Sequence, residues 1–214
     1  MQSKILHGCW STRYDEKPRD ELLAMVPEGV QTLLSVGCGS GALEAKLKQR
    51  GMAVTALPLD SVIAVVAARL GIEMIHGSWE EGLNRLTGRK FDCVLISNLL
   101  HLQAEPEKIL AGCAQFVGEG GTLLVMGPNF NRIPTLLNRR WGAGEFKKLR
   151  DFSASGINLC GPGTLRPQIK NLGLNTAAVQ WLDQELSQGR LRRIKVPLGS
   201  LTARNWILRA QRGN

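Results

Sequence analysis

Aromatic residues are scarce in this 214-residue chain: one tyrosine, and 5% Phe, Trp and Tyr together. Few rings interleave with the basic residues, which weakens a single-stranded nucleic-acid reading, because such surfaces add stacking rings to positive charge. Histidine is nearly as rare, with three copies. His7 and His76 show no partner pattern for a metal or for catalysis, and no metal site is expected. The five cysteines, Cys9, Cys38, Cys93, Cys113 and Cys160, are odd in number and contain no C-x-x-C pair. That argues against a disulfide framework and a zinc site, and leaves reduced thiols that mostly pack. No run of about 18 apolar residues is present to span a bilayer, and the first ten residues lack the apolar stretch of a secretory signal. The expected compartment is the cytoplasm.

What is present is a 43% hydrophobic chain long enough to bury a substantial core, and its length suits one α/β domain. Its 27 Lys and Arg against 18 Asp and Glu give a formal charge of +9. Most of the excess lies after Asn131, at Arg139, Arg140, Lys147, Lys148, Arg150, Arg190, Arg192, Arg193, Lys195, Arg204, Arg209 and Arg212. A solvated basic face accounts for this, and so does a surface for an anionic substrate or partner; charge alone does not choose.

Between residues 30 and 127 short apolar runs alternate with helical stretches, the pattern of βαβ units building a parallel sheet. The pattern predicts strands over Thr32–Val36, Ala53–Leu57, Glu73–Ile75, Phe91–Ile96 and Thr122–Met126. Helices are expected over Ala42–Gln49, Ser61–Leu70, Glu80–Leu86 and Pro106–Phe116, with an earlier one over Arg19–Met25. After Met126 the pattern loosens into a long irregular stretch through about residue 163, which in a compact domain suggests a lid or substrate-binding segment. A helix over Thr164–Asn171 and strands over Thr176–Trp181 and Asn205–Leu208 complete the expectation.

The sharpest local signal is the apolar strand Leu33 to Val36 running into Gly37, Cys38, Gly39, Ser40 and Gly41, then a helix. The three glycines allow a tight turn and close backbone approach to a ligand at the helix N-terminus. Gly37, Gly39 and Ala42 also satisfy the G-x-G-x-x-G/A fingerprint, so the loop alone does not separate a nicotinamide cofactor from S-adenosylmethionine, and a ligand-free turn remains a third reading.

Further motifs narrow the choice. Tyr14 to Pro27 carries an aromatic residue followed by a Pro-Arg-x-Glu-Leu-Leu helix; Phe91 to Leu102 carries an F-D-x-V strand and an L-x-H-L-type turn; Gly118 to Met126 carries a G-G-x-L-x-V strand. In order and spacing the chain resembles the class I S-adenosylmethionine-dependent methyltransferase superfamily, in particular bacterial methyltransferase-domain proteins of the type 11/12 kind. The resemblance extends over nearly the whole chain. Its terminal stretch, Leu201 to Ala210, is similar to relatives that include sugar and polysaccharide-cluster methyltransferases.

The resemblance implies a doubly wound, mostly parallel, Rossmann-like α/β sheet of seven strands with helices on both faces and an antiparallel last strand. It further implies one domain over 1–214, with an N-terminal helical segment over about 1–29 and a lid-like insertion over about 128–163. The implied cofactor is S-adenosylmethionine, held by Tyr14, Ser35, Gly37, Cys38, Gly39, Gly41, Leu57, Pro58, Ser78, Trp79, Ser97 and Asn98. His101, following the fourth strand, is the candidate general base, and a turn histidine bonded to backbone is the plainer alternative. Asn129, Asn131 and Asn158 are candidates to orient substrate.

Three positions depart from the family's pattern. Ser35 stands where an acid usually precedes the first glycine, Pro58 where an acid accepts from the ribose hydroxyls, and Ser78 near an acid that accepts from adenine. Asp60 is the nearest carboxylate to the ribose position, and Trp79 either flanks the adenine or packs in the core. The expected activity is methyl transfer to a small molecule or sugar-type substrate, and the charge is compatible with an anionic one. A catalytically degenerate binding protein and an RNA-directed methyltransferase stay open as alternatives, with nucleic acid not favoured. A nicotinamide dehydrogenase fits the downstream turns poorly. The sequence does not reveal the oligomeric state.

Overall fold

The structure, a computed structural model, describes residues 19–59, 61–141, 149, 151–184 and 199–213. Its elements run α1 (Asp20–Met25), β1 (Thr32–Cys38), α2 (Ala42–Gln49), β2 (Ala53–Pro58), α3 (Ser61–Arg69), β3 (Glu73–Met74), α4 (Trp79–Arg85), β4 (Phe91–Ser97), a 3-10 turn (Leu100–Leu102) and α5 (Pro106–Ala114). Then follow β5 (Val117–Pro128), α6 (Ile133–Trp141), α7 (Phe152–Ser155), α8 (Pro162–Asn171), β6 (Leu174–Gln184), α9 (Gly199–Thr202) and β7 (Ala203–Arg212).

The strands form one seven-stranded sheet in the order β3-β2-β1-β4-β5-β7-β6. The pairs β1–β2, β1–β4, β2–β3 and β4–β5 are parallel, while β7 runs antiparallel to both β5 and β6. This is the expected fold class, with the reversed strand last in sequence. The central strands are apolar without alternation because both faces are covered. On one face Leu34, Val36, Val94, Ile96, Leu123 and Val125 pack with residues of α4, α5 and α8. On the other Leu33, Cys93, Leu95 and Leu124 pack with Leu22 and Leu23 of α1, Leu47 of α2 and Ala67 of α3.

Asp92, the acid of the F-D-x-V motif, is a structural tie at the edge away from the glycine loop. One carboxylate oxygen accepts from the backbone N–H groups of Gln31 and Thr32, each at 2.9 Å, and from the Thr32 hydroxyl at 3.0 Å. Burial acts to raise its pKa, but those donors outweigh it and hold the carboxyl below its ordinary value. A second tie joins the outer strands. Arg89 donates to both oxygens of Glu73 at 2.9 and 3.0 Å and to the Thr55 hydroxyl at 2.9 Å, and its guanidinium lies 5.1 Å from the centre of the Phe91 ring. Hydrogen bonding by Arg89, then by Thr55, lowers the Glu73 pKa.

The stretch after Met126 differs from the irregular course expected. Strand β5 continues to Pro128 and α6 occupies Ile133–Trp141. The helix escapes a search for core-facing periodicity because described apolar residues on it face outward: Ile133, Leu136 and Leu137 are exposed while Thr135 is buried. Further along, Leu102, Phe130, Leu149 and Ile157 form a small apolar cluster that fastens this stretch to the end of β4. The four described cysteines are free and buried, as packing thiols should be.

Candidate functional site

The sheet order reverses between β1 and β4, since β1 continues to β2 on one side and β4 to β5 on the other. Crevices outside the carboxyl ends of strands at such a reversal are where open α/β sheets take ligands. The glycine loop leaves β1 at that point.

Its glycines are required by the protein's own packing. Gly37 has φ +93°, and a Cβ there would lie 2.6 Å from the Ser97 carbonyl oxygen and 3.2 Å from the Leu99 Cβ. Gly41 has φ +81°, and its Cβ would lie 2.7 Å from the Ala67 Cβ on α3 and 3.0 Å from the Ile72 Cδ1. The turn is therefore clamped, with the end of β4 pressed against Gly37 and α3 against Gly41. Gly39 and Ser40 between them stay half-buried. The expectation that all three glycines serve ligand approach is thus refined: Gly37 and Gly41 make room for protein, leaving the middle of the loop beside the α2 N-terminus.

Ser35 is fully buried, and its hydroxyl donates to Glu44 Oε1 at 2.6 Å. Glu44, three residues past Gly41 in the first turn of α2, is itself 3% exposed. Nothing in the sequence pattern flags this carboxylate, because it lies nine residues from Ser35 and on a helix rather than a strand. Cys38 lies against it; burial, then the charge and hydrogen bond of Glu44, raise its thiol pKa far above the ordinary value.

The remaining candidates divide. Leu57 is buried and Pro58 half-buried at the end of β2, where Pro58 pairs in register with Cys38. Ser97 and Asn98 are half-buried at the end of β4. Asn98 adopts φ 49° and donates its backbone N–H to the Met126 carbonyl at 3.0 Å, a left-handed turn that Asn tolerates. Ser78 is exposed and serves as the N-cap of α4: its hydroxyl accepts from the Glu81 N–H at 3.2 Å, while Glu81 Oε2 accepts from the Ser78 N–H at 3.0 Å. Trp79 is half-buried against the core cluster beside Leu83. Tyr14 and Asp60 lie outside the described residues.

His101 is 2% exposed, with its ring 6.2 Å from that of Phe130 and its backbone carbonyl accepting from the Asn158 N–H at 2.7 Å. Asn129 is buried and uses its amide internally, donating to the Ser200 and Ala203 carbonyls at 2.8 and 2.9 Å and accepting from the Asn131 N–H at 3.0 Å. It joins the end of β5 to α9 and β7. Among the described residues no group of three His, Cys, Asp or Glu side chains is arranged to hold a metal, and no helix is long and apolar enough to cross a membrane. An open groove of about 380 Å³ lined by Gly120, Asn175, Thr176 and Arg212 lies at the opposite edge of the sheet, away from the loop.

Comparison with known proteins agrees with this geometry. The family model "Methionine biosynthesis protein MetW" matches residues 17–162. An uncharacterized methyltransferase of Mycobacterium tuberculosis is 36% identical over 127 residues, covering 57% of this chain and 62% of that protein. The chain thus spans less than two thirds of that relative. A ubiquinone biosynthesis O-methyltransferase of Aromatoleum aromaticum is 26% identical over 190 residues, covering 82% of this chain and 80% of the relative. Among solved structures, a methyltransferase from Archaeoglobus fulgidus superposes with a TM-score of 0.70 at 14% identity over 90% of both chains. The magnesium protoporphyrin IX methyltransferase of Synechocystis, with S-adenosylhomocysteine bound, gives 0.63 at 15% identity over 90% of this chain and 78% of that one. The chain belongs to the MetW family and, with it, to the class I S-adenosylmethionine-dependent methyltransferases, whose cofactor is S-adenosylmethionine.

Proposed function

We propose that this protein binds S-adenosylmethionine at the Gly37–Gly41 loop and methylates a small molecule, with sugar-type acceptors the first class to examine. The observation that carries the reading is the clamped glycine turn at the sheet's reversal, with the half-buried Gly39 and Ser40, the α2 N-terminus and the half-buried Ser97 and Asn98 around it. When bound, the cofactor supplies an electrophilic methyl group on a sulfonium, which a nucleophile displaces in line.

Such a displacement asks mainly for alignment in a site that excludes water, so no prominent acid–base pair is required. In this reading Ser97 and Asn98 border the amino-acid end of the cofactor, Leu57 and Pro58 the adenosine end, and Trp79 supplies apolar wall. The described parts of the segment over 128–163, fastened through Leu102, Phe130 and Ile157, form the acceptor side. His101, buried against Phe130, orders that segment, and it would act as a base only where the segment opens. The O-methyltransferase relatives favour an oxygen acceptor, and the +9 charge favours an anionic one.

A second reading, a methyltransferase-fold binding protein without turnover, is favoured by Pro58, which offers no acceptor for ribose hydroxyls, and by Ser78, whose hydroxyl already caps α4. An RNA acceptor rests on charge alone and predicts salt-sensitive RNA binding. Calorimetric titration of the purified chain with S-adenosylmethionine and S-adenosylhomocysteine tests the proposal. Micromolar binding followed by methyl transfer in a screen of sugars and phenols supports it. Absence of binding at millimolar ligand refutes the proposal and, like binding without turnover, favours the second reading.

A further inference from the structure

Glu44 is the one acidic residue among the buried polar and charged residues described, alongside Ser35, Thr55, His101, Gln103, Thr122, Asn129, Thr135, Ser155 and Thr202. Removing a carboxylate from water is strongly unfavourable unless partners replace the lost hydration. Here neutral groups and the helix supply the replacement, with the Cys38 thiol as a second hydrogen-bonding neighbour. The Ser35 hydroxyl donates a short, charge-assisted hydrogen bond at 2.6 Å, and the position in the first turn of α2 sets the charge near the positive end of the helix dipole. Among the described residues no Lys, Arg or His forms an ion pair with it; the ion pairs found join Lys46 to Asp20, Arg89 to Glu73 and Lys108 to Glu105.

A glutamate at the third helical position commonly turns back to the N-cap backbone, as Glu81 does in α4. Glu44 instead reaches under the loop to β1, past a glycine N-cap that has no side-chain bond. It also lies against Cys38, whose thiol is held protonated by burial and by this carboxylate, so the thiol adds no second negative charge. The result is one buried carboxylate beneath the glycine turn, with no ion pair to a cation among the described residues.

We propose that Glu44, held by Ser35, is the positioning anion of the cofactor loop, and that its missing cation is the charged amino-acid end of the bound S-adenosyl ligand. This rests on the cofactor reading given above and adds the residue that sets its selectivity. It also explains how Ser35 can occupy the position before the glycines without a carboxylate there: the charge is provided from α2, one hydrogen bond away.

The test uses the full chain, two ligands and three variants. S-adenosylhomocysteine carries the amino-acid end; 5′-methylthioadenosine keeps the adenosine and thioether but lacks it. Glu44→Gln should weaken S-adenosylhomocysteine by about tenfold or more, the scale of one charge-assisted interaction, and change methylthioadenosine less than about twofold. Ser35→Ala should act in the same direction with a smaller loss. The double substitution Ser35→Asp with Glu44→Gln returns a carboxylate to the cavity from the strand side, and should recover most of the lost affinity. A purely structural role for Glu44 would weaken both ligands alike, and that result overturns the proposal, as does unchanged S-adenosylhomocysteine affinity in Glu44→Gln. Should Glu44→Gln lose its cooperative thermal transition, Ser35→Ala decides by the same comparison of the two ligands. Failure of the unaltered protein to bind S-adenosylhomocysteine overturns the cofactor reading and this inference together; binding with uniform losses in the variants overturns only the inference.

Discussion

Replacing Gly37 by alanine isolates the close approach between the glycine loop and the end of β4. Two penalties act at this position. The first is conformational: at φ +93° an L-residue is strained, by roughly 1–2 kcal/mol. The second is steric, because the new Cβ would sit 2.6 Å from the Ser97 carbonyl oxygen, where non-bonded atoms prefer roughly 3.5 Å. The oxygen belongs to backbone at the end of a central strand and cannot swing aside as a flexible side chain would. Overpacking of this kind costs about 1–3 kcal/mol, giving a total of about 2–5 kcal/mol. Gly29 supplies the control, with φ +81° and nothing within 4 Å of its Cβ position. Gly29→Ala should show the conformational penalty alone. Urea denaturation of both variants against the parent reads the difference, and Gly37→Ala should lower the midpoint by about 1–2 M at ordinary denaturant sensitivity. The same variant should bind S-adenosylhomocysteine more weakly, since Ser97 and Asn98 must shift to admit the methyl group. Equal losses in the two variants would show that the close approach is absent and that the clamped-loop account is mistaken.

Asp92→Asn should destabilise the protein by roughly 1–3 kcal/mol in chemical denaturation while leaving cofactor affinity nearly unchanged, because the lost charge-assisted bonds lie at the far edge of the sheet. Asp92 and Glu73 both have folded-state pKa values below their ordinary ones, so their stabilisation is present above about pH 4 and declines as pH falls through the folded values. A thermal midpoint that drops below pH 4 in the parent, and drops less in Asp92→Asn, is the expected outcome; identical acid profiles would contradict the assignment. Burial pushes the thiols of Cys93, Cys113 and Cys160 up to about 12, so they should resist thiol reagents at pH 8 in the folded protein and react once denaturant is added. Prompt labelling of these three under native conditions would show that the core opens far more readily than its packing indicates.

The first two thirds of the fold are legible because its elements announce themselves locally. Helix α2 falls where its run of helix formers after Gly41 predicts, and β1, β2 and β4 start where expected and extend one or two residues further. The later elements are read short. Strand β5 begins at Val117, not Thr122, because Gly118, Gly120 and Gly121 look like a turn. Strands β6 and β7, expected over six and four residues, run for eleven and ten because each is the other's antiparallel partner, a cooperation no local window contains. Helix α6 is hidden by the outward placement of Ile133, Leu136 and Leu137. At the site, the glycine loop stands out in the sequence while the Ser35–Glu44 pair does not, since its meaning depends on a helix folding back over the strand that precedes it. Ser78 shows the converse: a residue judged by its ligand chemistry turns out to begin a helix.

The clamp on Gly37 and Gly41 has an entropic consequence. A glycine-rich turn left to itself samples many backbone states, and a ligand that needed one of them would lose affinity in selecting it. Here the β4 turn and α3 hold the loop from both ends, so the restriction is imposed when the chain folds, before any ligand arrives. Binding then orders few additional residues, which lowers the number of polar contacts that a ligand at this loop needs. Stability and affinity are for that reason coupled at this turn: loosening the contact of Ala67 with Gly41 should weaken binding by restoring disorder to the loop.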